Sequence, residues 1–221
     1  MPPPVSWSDV DEAQSSVNNL GPAIGWAAFG AVHSALASRT GTALLQRASG
    51  GFHRIVFNLV AFATLVPLLV YAAGVRGDVF FRWDGPLLAG KVALLAGAAL
   101  LFVAGGRHYS MRRLLGFAQL RRGPSVAAGA GGRLDSTGIL GLVRHPWYTG
   151  CILLIWAGDL DLPRLAANVV FTAYVVVGTL LEEKKLVAEF GEEYRSYQRR
   201  VSMLVPLKWA GTRLRGLSRL P

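Results

Sequence analysis

The chain has 221 residues, a formal net charge of +10, 52% hydrophobic residues, only 16% charged residues and a mean hydropathy of +0.38. A soluble domain carries about 25% charged residues, so a water-soluble globule is excluded and an integral membrane protein is expected. The single cysteine, Cys151, excludes an internal disulfide and a cysteine-only metal site.

Residues 1–19 contain prolines and the acids Asp9, Asp11 and Glu12. They lack a basic start followed by an apolar core, so no signal peptide is expected. Four apolar runs follow, at 20–37, 55–75, 87–106 and 165–181, with a shorter one at 146–157. About 20 apolar residues cross the hydrocarbon core. Four runs are long enough, and the short one at 146–157, fourth in chain order, would cross by tilting, where the bilayer is thin, or by being continued by the chain before Pro146. The expected fold is all-α: a polytopic membrane helical bundle of about five transmembrane helices with a C-terminal amphipathic helix. Its parts are a 1–19 outside segment, a 20–106 three-helix membrane part, a 107–145 basic cytosolic loop, a 146–206 helical hairpin with an amphipathic helix, and a 207–221 basic tail.

The positive charges alternate with these runs. Arg39, Arg47 and Arg54 separate the first two; Arg76 and Arg82 follow the second; seven arginines follow the third, Arg164 the fourth, and nine Lys or Arg residues the fifth. Basic residues accumulate on the cytoplasmic side. The pattern therefore puts the N-terminus outside and the C-terminus in the cytoplasm, as in a bacterial inner membrane. It also explains the net charge as a topology and headgroup signal, so no nucleic-acid partner is expected.

Lys91, inside the third run, is placed to snorkel to the outer interface. His33 and His53 are expected at a helix interface or near headgroups, and Pro67 to bend the second span. The Gly-rich stretch 123–138 reads as a loop, either a linker or a cap over a cytosolic pocket.

Two stretches carry candidate chemistry. Arg144 and His145 stand just before Pro146, which suits the first position of a helix. A helix start favours an anion, although a basic pair at a membrane boundary would look the same. At the end of the last run, Glu182 and Glu183 fall where an apolar span meets water, which is costly unless they face a polar cavity or a partner. Beyond them Leu186, Val187, Phe190, Tyr194, Tyr197 and Val201 recur at spacings of three and four, an amphipathic helix along the membrane surface.

Taken together, Arg144-His145-Pro146-x-Tyr148, Glu182-Glu183, Phe190-Gly191, Tyr194, Tyr197 and Val205-Pro206 resemble the C-terminal core of the isoprenylcysteine carboxyl methyltransferase and phospholipid methyltransferase superfamily. FGAVHSALASR at 29–39, FHRIVFNLVA at 52–61 and LLGFAQL at 114–120 resemble its nurim- and NnrU-like branch, which includes methanethiol S-methyltransferases. The resemblance implies a site for S-adenosyl-L-methionine at the cytosolic end of the helices. Its cofactor residues would be Val143, Arg144, His145, Pro146, Tyr148, Glu182, Glu183, Tyr194 and Tyr197. Arg200 would orient an anion, and Glu182 would share the catalytic role with it. Leu140 and Gly141 depart from the family's pattern just before the signature.

The residue types suit that donor. Carboxylates accept hydrogen bonds from ribose or an amino group, tyrosine faces attract a sulfonium, and an arginine holds a carboxylate. No metal is required. The implied partners are membrane lipid and a small thiol or lipophilic acceptor. A non-catalytic membrane protein of the same branch and a reductase with a related pocket stay open as alternatives.

Overall fold

The structure is a computed structural model that describes residues 7–109, 115, 117 and 134–211. Residues 118–133, which hold most of the Gly-rich stretch, the rest of the 114–120 motif and the tail from 212 lie outside the described residues. So do five of the seven arginines between the third and fourth runs.

Among the described residues the fold is all-α, as expected. Seven helices follow in order: α1 Trp7–Ala37, α2 Arg39–Ser49, α3 His53–Gly74, α4 Leu88–Gly106, α5 Pro146–Trp156, α6 Leu162–Phe190 and α7 Glu192–Arg200. Four stretches are long and apolar enough to cross a membrane: Leu20–Ala37, Arg39–Gly74, Gly85–Gly106 and Leu162–Phe190. Pro146–Trp156 is a shorter apolar helix. Leu59, Phe62, Val70, Leu100, Val103 and Val177 are each more than half exposed. A soluble monomer rarely presents that much apolar surface, and the chain is a multi-pass membrane protein.

Three elements differ from the sequence reading. Helix α1 begins at Trp7, well before the apolar run. Helix α2 is a surface helix that apolar patterning did not reveal. Ser38 caps it by accepting from the Gly41 N–H at 3.0 Å, and Gly50, at φ +55°, closes it. The expected amphipathic helix is broken at Gly191, whose φ of +58° favours glycine. The break lets α7 fold back on α6. Tyr194, Tyr197 and Val201 then pack against Leu134, Leu186, Val187 and Phe190, so the apolar stripe faces protein. Helices α1 and α3 both continue through an internal proline, Pro22 and Pro67.

The chain divides into two compact units. The first, Met1–Arg82 with Gly158–Tyr174, contains α1, α2, α3 and the start of α6. Asp161 anchors that start: it is 1% exposed and accepts from the N–H groups of Arg164 at 2.8 Å and Gly77 at 3.3 Å. An antiparallel bridge joins Phe81 to Leu160.

The second unit, Trp83–Ala157 with Val175–Pro221, contains α4, α5, the end of α6 and α7. Here α4 and α5 approach through small residues, the usual device between apolar helices. A Cβ at Gly105 would lie 2.6 Å from the Trp147 ring, and Trp147 donates its indole N–H to the Phe102 carbonyl at 3.1 Å. Gly105→Ala is expected to destabilise this pair by about 1–3 kcal/mol through overpacking. A thermal melt in detergent checks it; an unchanged midpoint would show that the two helices can part freely.

Candidate functional site

The candidate residues all lie in the second unit. Residues 143–145 run beside residues 202 and 203. Val143 and Ser202 form a parallel bridge, and the N–H groups of Arg144 and His145 donate to the carbonyls of Ser202 at 2.9 Å and Met203 at 3.2 Å. Pro146 then starts α5 with no N–H to satisfy. Thr149, one turn on, donates its hydroxyl to the Leu204 carbonyl at 2.9 Å. The Arg-His-Pro turn is thus held from outside by the chain beyond α7.

Arg144 reaches Glu183 from 39 residues away. Its Nε and Nη2 donate to the two carboxylate oxygens at 2.6 and 2.9 Å, the bidentate geometry that planar guanidinium favours. Its Nη1 donates to the carbonyls of Gln198, at 3.2 Å, and Val201. Glu183 accepts further from Gln198 Nε2 at 2.9 Å and Tyr194 Oη at 3.3 Å, with His145 Nε2 at 3.2 Å. A carboxylate only accepts, so Nε2 is the protonated ring nitrogen. Arg144, His145, Glu183, Tyr194 and Tyr197 are all less than a tenth exposed. Burial, followed by the Glu183 charge, pushes the Tyr194 phenol well above its ordinary value, and it stays a donor at physiological pH. Tyr197 donates to the Leu140 carbonyl at 2.6 Å, and burial likewise raises its phenol. The departure at Leu140 leaves this contact intact, because only the backbone is used.

Glu182 points the other way. Its side chain is 43% exposed against 8% for Glu183. It accepts from Tyr148 Oη at 2.8 Å and lies 4.0 Å from His145 Nδ1. The Tyr148 and His145 rings stack, 5.6 Å apart and 9° from parallel. An aromatic shelf with a carboxylate at its edge therefore faces outward from a closed ionic core. Arg200 is exposed at the end of α7, and among the described residues no hydrogen bond or ion pair joins it to the others. Val143 and Pro146 are buried behind the turn.

The sequence reading missed Gln198, which completes the Glu183 shell, and a second pair nearby. His108, just past α4, bonds through Nδ1 to Asp135 at 2.6 Å. Asp135 also accepts from the Thr137 N–H and hydroxyl at 3.0 and 2.8 Å. The hydrogen bond from His108, with those from Thr137, holds Asp135 at about 2. A depressed carboxylate contributes stability that is complete above the ordinary value of 3.8 and lost as pH falls through about 2. The Thr137 amide should therefore lose exchange protection, relative to its intrinsic rate, between pH 4 and 2. A flat profile, or one unchanged in Asp135→Asn, would count against this. Tyr109, beside His108, packs on Trp147 at 4.9 Å. Burial and the Glu182 charge raise its phenol to about 12.

Known proteins share this sequence locally. The chain is 46% identical over 66 residues to the methanethiol S-methyltransferase of Pseudomonas deceptionensis, covering 29% of this chain and 25% of that one. Methanethiol S-methyltransferase 1 of Bradyrhizobium diazoefficiens is 48% identical over 65 residues, 29% and 23% of the two chains. Part of this chain resembles methanethiol S-methyltransferases. The enzyme of that name from Mycobacterium tuberculosis is 38% identical over 68 residues, 29% and 27% of the two chains. These matches span about a quarter of the length of the curated relatives. They bear out the resemblance to the isoprenylcysteine methyltransferase-like superfamily. No family model matches the chain, and no solved structure matches it.

Proposed function

We propose that the protein is a membrane methyltransferase that uses S-adenosyl-L-methionine and acts on a small thiol or a lipophilic acceptor. One observation carries the reading: the Arg144–His145–Pro146 turn meets Glu183 through direct hydrogen bonds, with Glu182 held beside it by Tyr148, in a chain similar to named methyltransferases.

The outward-facing groups fit the cofactor. Tyr148 and Glu182 present an aromatic face and a carboxylate side by side. Such a face attracts a cation by about 0.5–2 kcal/mol, and a carboxylate accepts from ribose hydroxyls or an amino group. When bound, S-adenosyl-L-methionine supplies a methyl group on a positively charged sulfur. Glu182, Tyr148 and the His145 ring would hold that ligand. Val143 and Pro146 would shape the wall behind it. Arg200 would orient an anionic group of the cofactor or acceptor. Arg144, Glu183, Tyr194 and Tyr197 would act one layer back, fixing the turn that carries His145 and Tyr148. Positioning and water exclusion then supply most of the rate of an in-line displacement.

The charge pattern supports a site on the cytoplasmic side, with the N-terminus outside. Membrane lipid would surround the spans. The named relatives direct the choice of first acceptor to methanethiol. Full-length protein in nanodiscs, given methyl-labelled donor and methanethiol, should release labelled dimethyl sulfide, and Glu182→Ala should release none. A second reading, a non-catalytic membrane protein, is favoured by one fact: the hydrogen-bonding groups of Arg144 and Glu183 meet one another. Absence of transfer to any thiol, carboxylate or amine acceptor would select it.

A further inference from the structure

Two of the three upstream motifs, FGAVHSALASR and FHRIVFNLVA, play no part in the candidate site, and both lie in the first unit. There they line one cavity of about 200 Å³, bounded by Leu36, Thr42, Leu45, His53, Arg54 and Phe57. The first motif supplies the end of α1 and the second the start of α3, with α2 closing the side. The volume is below the ~300–1,000 Å³ of pockets for drug-sized ligands, so it suits a small anion or a headgroup rather than a nucleoside.

Its polar groups are cationic or neutral. Arg54 is partly buried, and among the described residues no carboxylate lies within ion-pair reach of it. A guanidinium withdrawn from water without an anion is costly. His53 is 8% exposed and spends Nδ1 on the Gly50 carbonyl at 2.9 Å. Arg54 also sits in the first turn of α3, where backbone N–H groups add to the positive field. One turn up α1, the His33 ring packs on Phe57 at 4.8 Å. Its Nδ1 is buried with no hydrogen-bond partner among the described residues. Apart from Thr42, whose hydroxyl lies 3.5 Å from the Leu36 carbonyl, the remaining lining is apolar, and Leu44 and Phe52, next in the chain to lining residues, are each 58% exposed. Apolar lining next to exposed apolar side chains at the end of two spans suits a ligand with a charged head and a greasy tail.

We propose that this cavity binds a phosphate group, with Arg54 as its counter-charge, and that a membrane phospholipid presents it. The assignment is independent of the methyltransferase reading.

The test uses the full chain, delipidated in dodecyl maltoside and followed by native mass spectrometry. Phosphatidylglycerol should remain bound at one copy per chain, and diacylglycerol, which lacks phosphate, should not. Arg54→Gln should weaken retention on the order of tenfold or more, the loss expected for a charge-assisted hydrogen bond. Competition by millimolar inorganic phosphate would identify free phosphate as the ligand's source; failure to compete would identify the lipid. Should Arg54→Gln prove unstable, Leu45→Trp fills the cavity while keeping the arginine, and should displace the lipid. Wild-type retention in either folded variant, or equal retention of diacylglycerol, would overturn the assignment.

Discussion

Glu183→Ala is expected to destabilise the second unit by about 3–5 kcal/mol, the usual cost of leaving one member of a buried ion pair alone. The carboxylate is the shared acceptor for Arg144, Gln198, Tyr194 and His145. Removing it strands a guanidinium that is 9% exposed. Arg144→Ala should cost a similar amount by stranding the carboxylate. The paired replacement Arg144→Met with Glu183→Leu should recover much of the loss, because apolar groups of like volume often replace a buried pair without penalty. Chemical unfolding in detergent, arranged as a double-mutant cycle, reads the coupling directly. Single variants within about 1 kcal/mol of wild type would show that the pair is wet and weak.

Glu182→Ala is expected to do the opposite: little to stability and much to ligand binding. The side chain is 43% exposed, and exposed substitutions usually stay within about 0.5 kcal/mol. Loss of a charge-assisted contact to a bound ligand costs about 1.5–3 kcal/mol, or on the order of 10–100-fold in affinity. Tyr148→Phe, which removes only the hydroxyl donated to Glu182 at 2.8 Å, should weaken binding less and leave the melting midpoint unchanged. Adjacent glutamates with opposite phenotypes are the signature of one facing in and one facing out. Equal effects on stability and binding at 182 and 183 would contradict that division.

That division was beyond the sequence. Neighbours on a helix point about 100° apart, and pattern alone does not say which of the two faces the Arg-His-Pro turn. The long apolar runs were legible because membrane length is a strong constraint; they became α3 and α4 within a few residues. Pro146 marked the start of α5 for a local reason, its missing N–H. Helix α2 was not legible because its stripe is short and none of its residues is buried; only Ser38 and Gly50 announced it. The break at Gly191 was likewise a single-residue signal. It turned an expected membrane-surface stripe into a packed core. Gln198 and the His108–Asp135 pair depend on tertiary contacts across 15 and 27 residues, which spacing rules do not reach.

Titration calorimetry of S-adenosylhomocysteine into the purified chain tests the central claim most directly. Saturable binding at one site per chain is expected, with loss of that binding in Glu182→Ala while its melting midpoint stays at the wild-type value. No heat of binding to the folded wild type, or an undiminished affinity in Glu182→Ala, would contradict it.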